Sequence, residues 1–333
     1  KDKFLRHTNN GGNKLYIVDH HDSPNIMREI GRLRELAFRA AGGGTGKSID
    51  IDDFDIDPVH PYKQLIVWDP SEEEILGGYR YIVCDDLEVK HLATSELFNF
   101  SEKFQKEYLG NMIELGRSFV QPNYQSTRLR SKGIYALDNL WDGLGALVVE
   151  HPDHKYFFGK VTMYTSYNVE ARNMILYFLR KYFPDNDNLV TPIEPLPLEL
   201  DQEVLDALFE GKPYEEGYKI LQKRIRELGE NIPPLINSYM NLSPSMKVFG
   251  TAINHKFGGV EETGILITVG DIYLRKVERH RPVVRDCIHH MFHSCMNRRL
   301  SRPHMCSHKW DILWNIPKHR CHKLRIHLIR GIV

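Results

Sequence analysis

The sequence predicts an α/β fold in which a mixed, mostly antiparallel central sheet is flanked by helices. Strand-like and amphipathic segments follow one another in the order strand, helix, three strands, helix, strand, helix and further strands. Apolar residues make up 41% of the 333 residues and charged residues 26%, as is usual for soluble globular proteins. No apolar run approaches the roughly 18 residues that a membrane-spanning helix needs.

The first predicted elements are a strand over residues 14–19 and an amphipathic helix over 24–41. Ser23 followed by Pro24 is typical of a helix start, because Ser is a good N-cap and proline suits the first helical position. Apolar residues then recur at helical spacing until the glycines at 42–44 end the helix.

The middle of the chain predicts an antiparallel hairpin. Strands over 63–68 and 75–84 are separated by Asp69-Pro70-Ser71, which is good turn chemistry. The remaining elements are a strand over 112–120, a helix over 133–150, a strand over 155–163, helices over 169–183 and 214–229, and strands over 245–253 and 262–269.

The stretch AAGGGTGKSID, residues 40–50, is close to the pattern of a phosphate-binding P-loop. A P-loop joins the end of a strand to the start of a helix, whereas these glycines follow a helix. The acidic residues that come next would repel a triphosphate. We therefore interpret the glycines as a helix C-cap and hinge, and the acidic stretch 49–57 as an ordered loop.

The zero net charge of the chain conceals two parts of opposite charge. Residues 280–333 hold eleven Lys and Arg against two Asp and Glu, so this segment carries +9 and residues 1–279 carry −9. We expect residues 1–279 to form the folded domain, with a core at about 14–185 and closing strands at about 245–270. Residues 280–333 would be an extension of unclear structure.

The extension is rich in metal-ligating residue types, since it holds nine of the 17 His and four of the five Cys. Their spacing matches no standard zinc framework, so no metal site is predicted. Its cationic, aromatic-containing sequence suits an anionic membrane surface. With only Cys84 before it and no signal peptide at KDKFLRHTNN, we expect a cytoplasmic protein that can also contact the inner face of the membrane.

Charged and aromatic residues recur in a fixed order through the first half of the chain. They are Arg34-x-x-x-Phe38 in the first helix, Asp52-x-x-Asp55 in the acidic loop, Arg80 in the hairpin and Glu114-x-x-Arg117 in the next strand. This set resembles the acyl-homoserine-lactone synthases. It resembles more closely the ornithine- or glycine-lipid type N-acyltransferases, also called hemolysin-like, of the GNAT superfamily. The resemblance covers residues 14–185 well and 230–275 loosely.

The resemblance implies transfer of a fatty acyl group, which can be 3-hydroxylated, from a carrier thioester to the α-amine of ornithine or glycine. The implied donor is acyl carrier protein, or else acyl-CoA, and the product is the lyso form of an aminolipid. No cofactor and no nucleic acid are implied. Two alternatives stay open: a lactone synthase that uses S-adenosylmethionine, and a non-catalytic acyl- or lipid-binding protein.

The resemblance also implies roles for individual residues. It places six charged side chains beside the acyl site: Arg34, Asp52, Asp55, Arg80, Glu114 and Arg117. Three acids and three bases make this set neutral, and a paired network can be buried where a lone charge cannot. We expect Glu114 to act through a water as the general base for the α-amine. Phe38 would line the acyl pocket, and Trp141 is a candidate for contact with the acyl chain.

Glu114 and Arg117 need an irregularity in their strand if they are to act together. Residues three apart on a regular strand point to opposite faces, so one extra residue must be inserted, and Gly116 permits such a β-bulge. A bulge turns a backbone N–H out of the ladder. Near Arg117 or Ser118 that amide can bind the thioester oxygen as negative charge develops. The spacing therefore predicts a bulged central strand, and the resemblance to the GNAT superfamily implies that this strand is also splayed.

The segment RLRSKG, residues 128–133, is predicted to bind the carrier. It supplies Arg128, Arg130 and Lys132 directly before a helix, where the phosphate of a pantetheine arm is well placed. The GNAT pyrophosphate signature is (Q/R)-x-x-G-x-(G/A). The segment keeps Arg130 and Gly133 but has Tyr135 in the last position, which favours a protein carrier over acyl-CoA.

Overall fold

The computed structural model describes residues 3–125, 130–197 and 202–280, and for residues 130–134 it describes the backbone alone. The chain divides into two compact units, Lys1–Pro282 and Val283–Val333, and every described residue belongs to the first. The predicted basic extension thus lies outside the described residues, apart from His280. Within the described ranges, no helix has both the length and the apolar character that crossing a bilayer requires.

Strands and helices alternate along the described chain. The strands are β1 (Phe4–His7), β2 (Lys14–Val18), β3 (Lys63–Asp69), β4 (Glu74–Val83), β5 (Phe98–Phe100), β6 (Met112–Val120), β7 (Tyr156–Met163), β8 (Val190–Pro192), β9 (Lys247–Asn254) and β10 (Val260–Thr268). The helices are α1 (Pro24–Ala40), α2 (Asp53–Ile56), α3 (Glu102–Glu107), α4 (Arg130–Glu150), α5 (Val169–Tyr182), α6 (Gln202–Phe209), α7 (Tyr214–Glu227), α8 (Pro234–Met240) and α9 (Leu274–His280).

The main sheet has the strand order β1-β2-β3-β4-β6-β7-β10-β9, and β5 pairs with β8 in a small second sheet. Each neighbouring pair of the main sheet is antiparallel except β6 and β7, which run parallel. The predicted hairpin is confirmed, since β3 and β4 pair antiparallel across the turn after Asp69. The predicted fold class, a mixed and mostly antiparallel sheet flanked by helices, is confirmed.

Two of the local predictions need correction. The acidic stretch is not a loop throughout, because α2 forms one helical turn within it. Asp52 and Asp55 make a capping box in which each carboxylate accepts a hydrogen bond from the other residue's backbone N–H, both at 3.2 Å. At the start of α1, Ser23 makes no side-chain cap, and its hydroxyl accepts a hydrogen bond from Lys3 instead.

The glycine-rich stretch ends α1 as predicted. The Gly43 N–H bonds back to the carbonyl of Phe38 at 2.9 Å, and Gly42 has a φ of +97°. The backbone amides of Thr45 and Gly46 then donate to the carboxylate of Glu35, each at 2.9 Å. The amides that a phosphate would need are therefore held by a carboxylate of the same chain, which argues against a P-loop.

The sheet is covered on both faces, and alternation along each strand assigns its side chains to one face or the other. On one face α4 and α5 pack against a core that includes Tyr79, Leu115 and Phe157. On the other face α1 packs against Ile66 and Phe119, and the β5–β8 region covers a neighbouring aromatic cluster. Along β4 and β7, the residue directly after each of these core residues therefore has its side chain on the α1 face.

Candidate active site

Strands β6 and β7 separate partway along their length and open the sheet near its centre. They pair in parallel from Met112 with Tyr156 to Leu115 with Gly159, and their pairing ends there. Beyond this point β6 continues beside β4, and β7 continues beside β10. We call this opening the fork. It is the splay that the resemblance implied.

A β-bulge lies on the β6 side of the fork. Gly78 pairs with Phe119 and Arg80 pairs with Gly116, so one residue of β4, Tyr79, faces both Arg117 and Ser118. The extra residue reverses the alternation of β6. The predicted bulge is confirmed, but the residue in the left-handed region is Arg117, with a φ of +48°, and not Gly116.

The bulge directs Arg117 to the α1 face, where an ionic cluster is buried. The Nε of Arg34 donates to Asp50 at 3.0 Å, and its terminal nitrogens donate to both oxygens of Asp55 at 3.0 and 3.2 Å. The Nη1 of Arg80 donates to both oxygens of Asp52 at 2.6 and 2.7 Å.

Arg117 completes the cluster from the fork. Its Nε donates to Asp50 at 2.8 Å, its Nη2 lies 3.5 Å from Asp52, and its guanidinium lies over the ring of Phe257 at 4.3 Å. Three guanidinium groups thus face three carboxylates. The structure brings five of the six predicted charged residues together: Arg34, Asp52, Asp55, Arg80 and Arg117.

The pKa values in the cluster follow from this pairing. Burial alone would raise the pKa of Asp50, but the charges of Arg34 and Arg117 lower it from 3.8 to about 2. Burial likewise opposes ionisation of Asp52, and Arg80 with Arg117 moves its pKa well below the usual range. Asp50 and Asp52 therefore stay ionised at neutral pH beside the guanidinium groups with which they pair.

Glu114 lies beside the cluster but outside it. Tyr62 donates its hydroxyl proton to the Glu114 carboxylate, and the N–H groups of Ala93 and Thr94 donate at 3.1 and 2.9 Å. Tyr62 contacts both Glu114, through its hydroxyl, and Arg80, whose guanidinium lies 4.9 Å from the centroid of the Tyr62 ring. Glu114 is 1% exposed and lines neither of the cavities described below. Its proposed role as base stays untested.

Sequence reasoning missed two members of the cluster. Asp50 binds both Arg34 and Arg117, and Gln64 donates to Asp55 at 3.0 Å. Asp50 stands in the same acidic stretch as Asp52 but outside the quoted spacing. Gln64 pairs across the ladder with Arg80. A buried amide directly before the apolar run Leu65–Val67 was the available sequence signal.

A cavity of about 220 Å³ occupies the fork. Its walls are mainly apolar and come from α1, β4, β6, β7, β10 and α8, with Phe38, Leu115, Phe157, Tyr239 and Ile265 among its lining residues. Phe38 therefore lies where the sequence predicted a pocket residue, and Ser118 of the bulge also lines the cavity. We call it the apolar cavity.

Two phenols give the apolar cavity a polar spot beside the bulge. Tyr79 and Tyr239 both line it, and burial raises the pKa of each, so both remain protonated donors. Trp141 does not line the cavity. Its ring packs edge-on against the ring of Tyr239, with 5.5 Å between the ring centroids. In this position Trp141 supports a residue of the cavity wall and is not itself in contact with the cavity.

A second, polar cavity of about 30 Å³ lies on the α1 face. Its lining includes Asp52, Arg80, Asn254 and Lys256. Three residues line both cavities: Arg117, Lys160 and Phe257. The two cavities therefore meet at the fork, one mainly on each face of the sheet.

Lys160 forms a buried ion pair at this meeting point. It is the first residue of β7 beyond the last pair with β6, and its ammonium donates to Glu262 of β10. Asn254 and Thr162 also donate to Glu262, at 2.8 and 3.2 Å. The Lys160 and Glu262 side chains are 10% and 3% exposed.

The predicted carrier segment is only partly described. Arg128 lies outside the described residues, and Arg130, Lys132 and Gly133 are known only as backbone positions in the first turn of α4. The helix begins at Arg130 and not at the predicted residue 133, so Arg130 and Lys132 lie within its first turn and not before it; carrier binding stays a prediction. Among the described residues, no group of His, Cys, Asp or Glu side chains is arranged to hold a metal ion.

Comparison with known proteins agrees with this geometry. The model of the acetyltransferase (GNAT) domain family matches residues 33–132, from α1 through the bulged strand to the start of α4. A glycine N(alpha)-acyltransferase of Phocaeicola vulgatus is 59% identical over 285 residues, which cover 84% of this chain and 87% of the relative. One from Bacteroides thetaiotaomicron is 61% identical over 285 residues, 84% of each chain. The chain therefore belongs to the GNAT superfamily and is an N-acyltransferase of the group that contains these two relatives.

Proposed function

We propose that this enzyme transfers a fatty acyl group from a carrier thioester to the α-amine of glycine. The observation that carries the proposal is the meeting of an apolar and a polar cavity at the fork. An acyl chain suits the first and a small charged amine suits the second, and their reacting atoms would meet between Arg117 and Lys160. The acyl thioester is a co-substrate, and the proposed reaction requires no resident cofactor.

The donor would place its thioester carbonyl against the bulge. Arg117 and Ser118 depart from the regular ladder and line the apolar cavity. We expect a backbone N–H at this bulge to stabilise the oxyanion that develops when the amine attacks. The phenols of Tyr79 and Tyr239 lie nearby and can bind a hydroxyl on the acyl chain. This supports a 3-hydroxyacyl group as the preferred donor.

The size of the polar cavity supports glycine as the acceptor. A volume of about 30 Å³ favours the smallest amino acid, because ornithine or the adenosine of S-adenosylmethionine would require a much larger movement of the walls than glycine would. The cations Arg80 and Lys256 in its lining can bind an α-carboxylate. Both relatives are named as glycine N(alpha)-acyltransferases, which agrees with this choice.

The carrier is proposed to be acyl carrier protein. Its acidic surface and phosphodiester suit the basic sequence of residues 128–133, of which residues 130–133 form the first turn of α4. An N-acylglycine with a 3-hydroxyl group would be a lyso-lipid that a second acylation could complete, which places the enzyme in aminolipid synthesis.

The test is an assay with purified protein, 3-hydroxyacyl or unsubstituted acyl carrier protein, or the matching acyl-CoA, and one amino acid at a time. Mass spectrometry of the products should show N-acylglycine, with a higher rate from the protein carrier. N-acylornithine as the main product would exclude glycine as the preferred acceptor. A homoserine lactone formed from S-adenosylmethionine would support the alternative synthase.

A further inference from the structure

N-acyl transfer requires protons to move on both sides of the fork. The acceptor enters mostly as an ammonium, because an α-amine has a pKa about one unit above neutral, and it must lose a proton before it attacks. The leaving thiolate must gain one. A group that serves both substrates has to be reachable from both cavities.

Only three described residues line both cavities, and of these only Lys160 can carry a proton. Phe257 has no titratable group, and the guanidinium of Arg117 does not deprotonate in proteins. We propose that Lys160 is the general base for the acceptor amine and the general acid for the leaving thiolate. This inference depends on the proposed function, which puts the acyl thioester in one cavity and the amine in the other.

The surroundings of Lys160 prepare it for this role. Burial lowers the pKa of Lys160; Glu262 opposes that shift, whereas Arg117 and Arg80 add to it. A lowered pKa brings the neutral amine closer to the pH at which the enzyme works. The other ionisable groups that line the two cavities are Asp52, Glu96 and Lys256 in the polar one and Tyr79, Tyr164 and Tyr239 in the apolar one.

Glu262 is a positioning residue in this scheme. Its carboxylate also accepts hydrogen bonds from Asn254 and Thr162, which hold it in place beside Lys160. The Lys160 side chain therefore has a fixed anchor at the fork. The carboxylates of Asp50, Asp52 and Asp55 are committed to guanidinium groups, and Glu114 lines neither cavity. We therefore assign the base to Lys160 in place of Glu114.

In the proposed step, Lys160 passes one proton from the acceptor amine to the leaving thiolate. Neutral Lys160 takes one proton from the acceptor ammonium, and the free amine attacks the thioester carbon. The C–N bond forms, the C–S bond breaks, and the electron pair of the C–S bond leaves with sulfur. The thiolate takes the proton from the Lys160 ammonium. The second proton lost by nitrogen goes to solvent, so the products are N-acyl amino acid, thiol and one proton.

Lys160→Arg tests the inference, because arginine keeps the charge and the Glu262 contact but cannot transfer the proton. With 3-hydroxyacyl carrier protein and glycine, we expect kcat to fall by about 10²-fold or more while the KM for glycine changes little. The pH dependence of kcat at saturating glycine should be lost. Lys106→Arg, on exposed α3, is the matched control, and melting temperatures show whether each variant folds.

A second variant covers the case in which Lys160→Arg fails to fold. Trimethylamine cannot be acylated but can carry a proton, so it should restore activity to Lys160→Ala, whereas tetramethylammonium should not. The inference is overturned if Lys160→Arg keeps kcat within about threefold, or if Glu114→Gln alone removes the pH dependence. If the unaltered enzyme makes no N-acylglycine from either donor, the proposed function fails first.

Discussion

Arg34 is 0% exposed and fully charged, and its partners explain how the fold tolerates this. An unpaired charge in the interior costs several kcal/mol, whereas a charge with matched hydrogen-bonding partners can be accommodated. Arg34 is paired with Asp50 and Asp55, and those acids in turn contact Arg117 and Arg80. Each member of the cluster therefore depends on the others.

Removing Arg34 should therefore be costly. We expect Arg34→Ala to lower the free energy of unfolding by about 3–5 kcal/mol, because it leaves buried carboxylates without a counter-charge. Urea denaturation at neutral pH measures the loss. The control is Arg32→Ala on the same helix, whose exposed pair with Glu29 should contribute less than about 1 kcal/mol. Equal losses in the two variants would contradict the role of the cluster.

The lowered pKa of Asp50 predicts an acid-sensitive contribution to stability. Its pKa is about 2 when folded against an ordinary 3.8, so ionised Asp50 stabilises the protein above pH 3.8 and this contribution is lost as pH falls towards 2. The shift corresponds to roughly 2 kcal/mol. Urea denaturation at pH 4 and at pH 2 should show a smaller difference for Asp50→Asn than for the unaltered protein. Identical differences would mean that Asp50 is not stabilised by its neighbours.

At the level of elements, the fork depends on how β6 meets its two neighbours. The bulge changes the alternation of β6, so Glu114 before it and Arg117 after it lie on the same face. The pairing with β7 ends at Gly159. Because Gly159 has no Cβ, the backbones of β6 and β7 can approach each other closely there. A Cβ there would stand 2.5 Å from the carbonyl oxygen of Leu115.

Substitution by alanine should therefore affect stability differently at two glycines of the fork. Gly159→Ala should cost about 1–3 kcal/mol, because the new methyl group pushes β7 away from β6, and it should also reduce turnover. Gly116→Ala should fold nearly unchanged, since the nearest atom to its Cβ is the Nε of Arg80 at 3.9 Å. Thermal unfolding and initial rates measure both effects. A large loss in Gly116→Ala alone would contradict this account of the fork.

For the whole molecule, the important feature is a site that opens towards both faces of the sheet. The apolar cavity receives residues from the α4 face, and the polar cavity lies on the α1 face. Three guanidinium groups, those of Arg34, Arg80 and Arg117, pair with the carboxylates of Asp50, Asp52 and Asp55. A zwitterionic amino acid has no net charge, so it can enter without adding net charge to this buried region.

This arrangement predicts that both substrates bind before reaction. Initial rates over a grid of donor and glycine concentrations should give intersecting double-reciprocal lines. The physical reason is that each substrate has its own cavity, so neither must leave before the other enters. Parallel lines, or an acylated protein in the intact-mass spectrum after incubation with donor alone, would indicate a covalent intermediate and contradict this expectation.

Local sequence patterns determined the main elements of this protein, and the resemblance to known acyltransferases implied most of the ionic cluster. Helical periodicity predicted α1 and α5, turn chemistry predicted the hairpin, and the spacing of Glu114 and Arg117 required a bulge if both were to share a face. Short elements such as β5 and α8 were not predicted, because a few residues show too little hydrophobic periodicity to indicate an element.

Tertiary structure alone decided which side chains meet at the fork. Lys160 and Glu262 are 102 residues apart, and they touch because β10 is placed beside β7. Gln64 joins the cluster because of the strand order, and Asp50 joins it because of the path of the loop between α1 and α2. Local patterns report the neighbours of a residue along the chain, whereas the position of the proposed proton carrier depends on which distant strands pair.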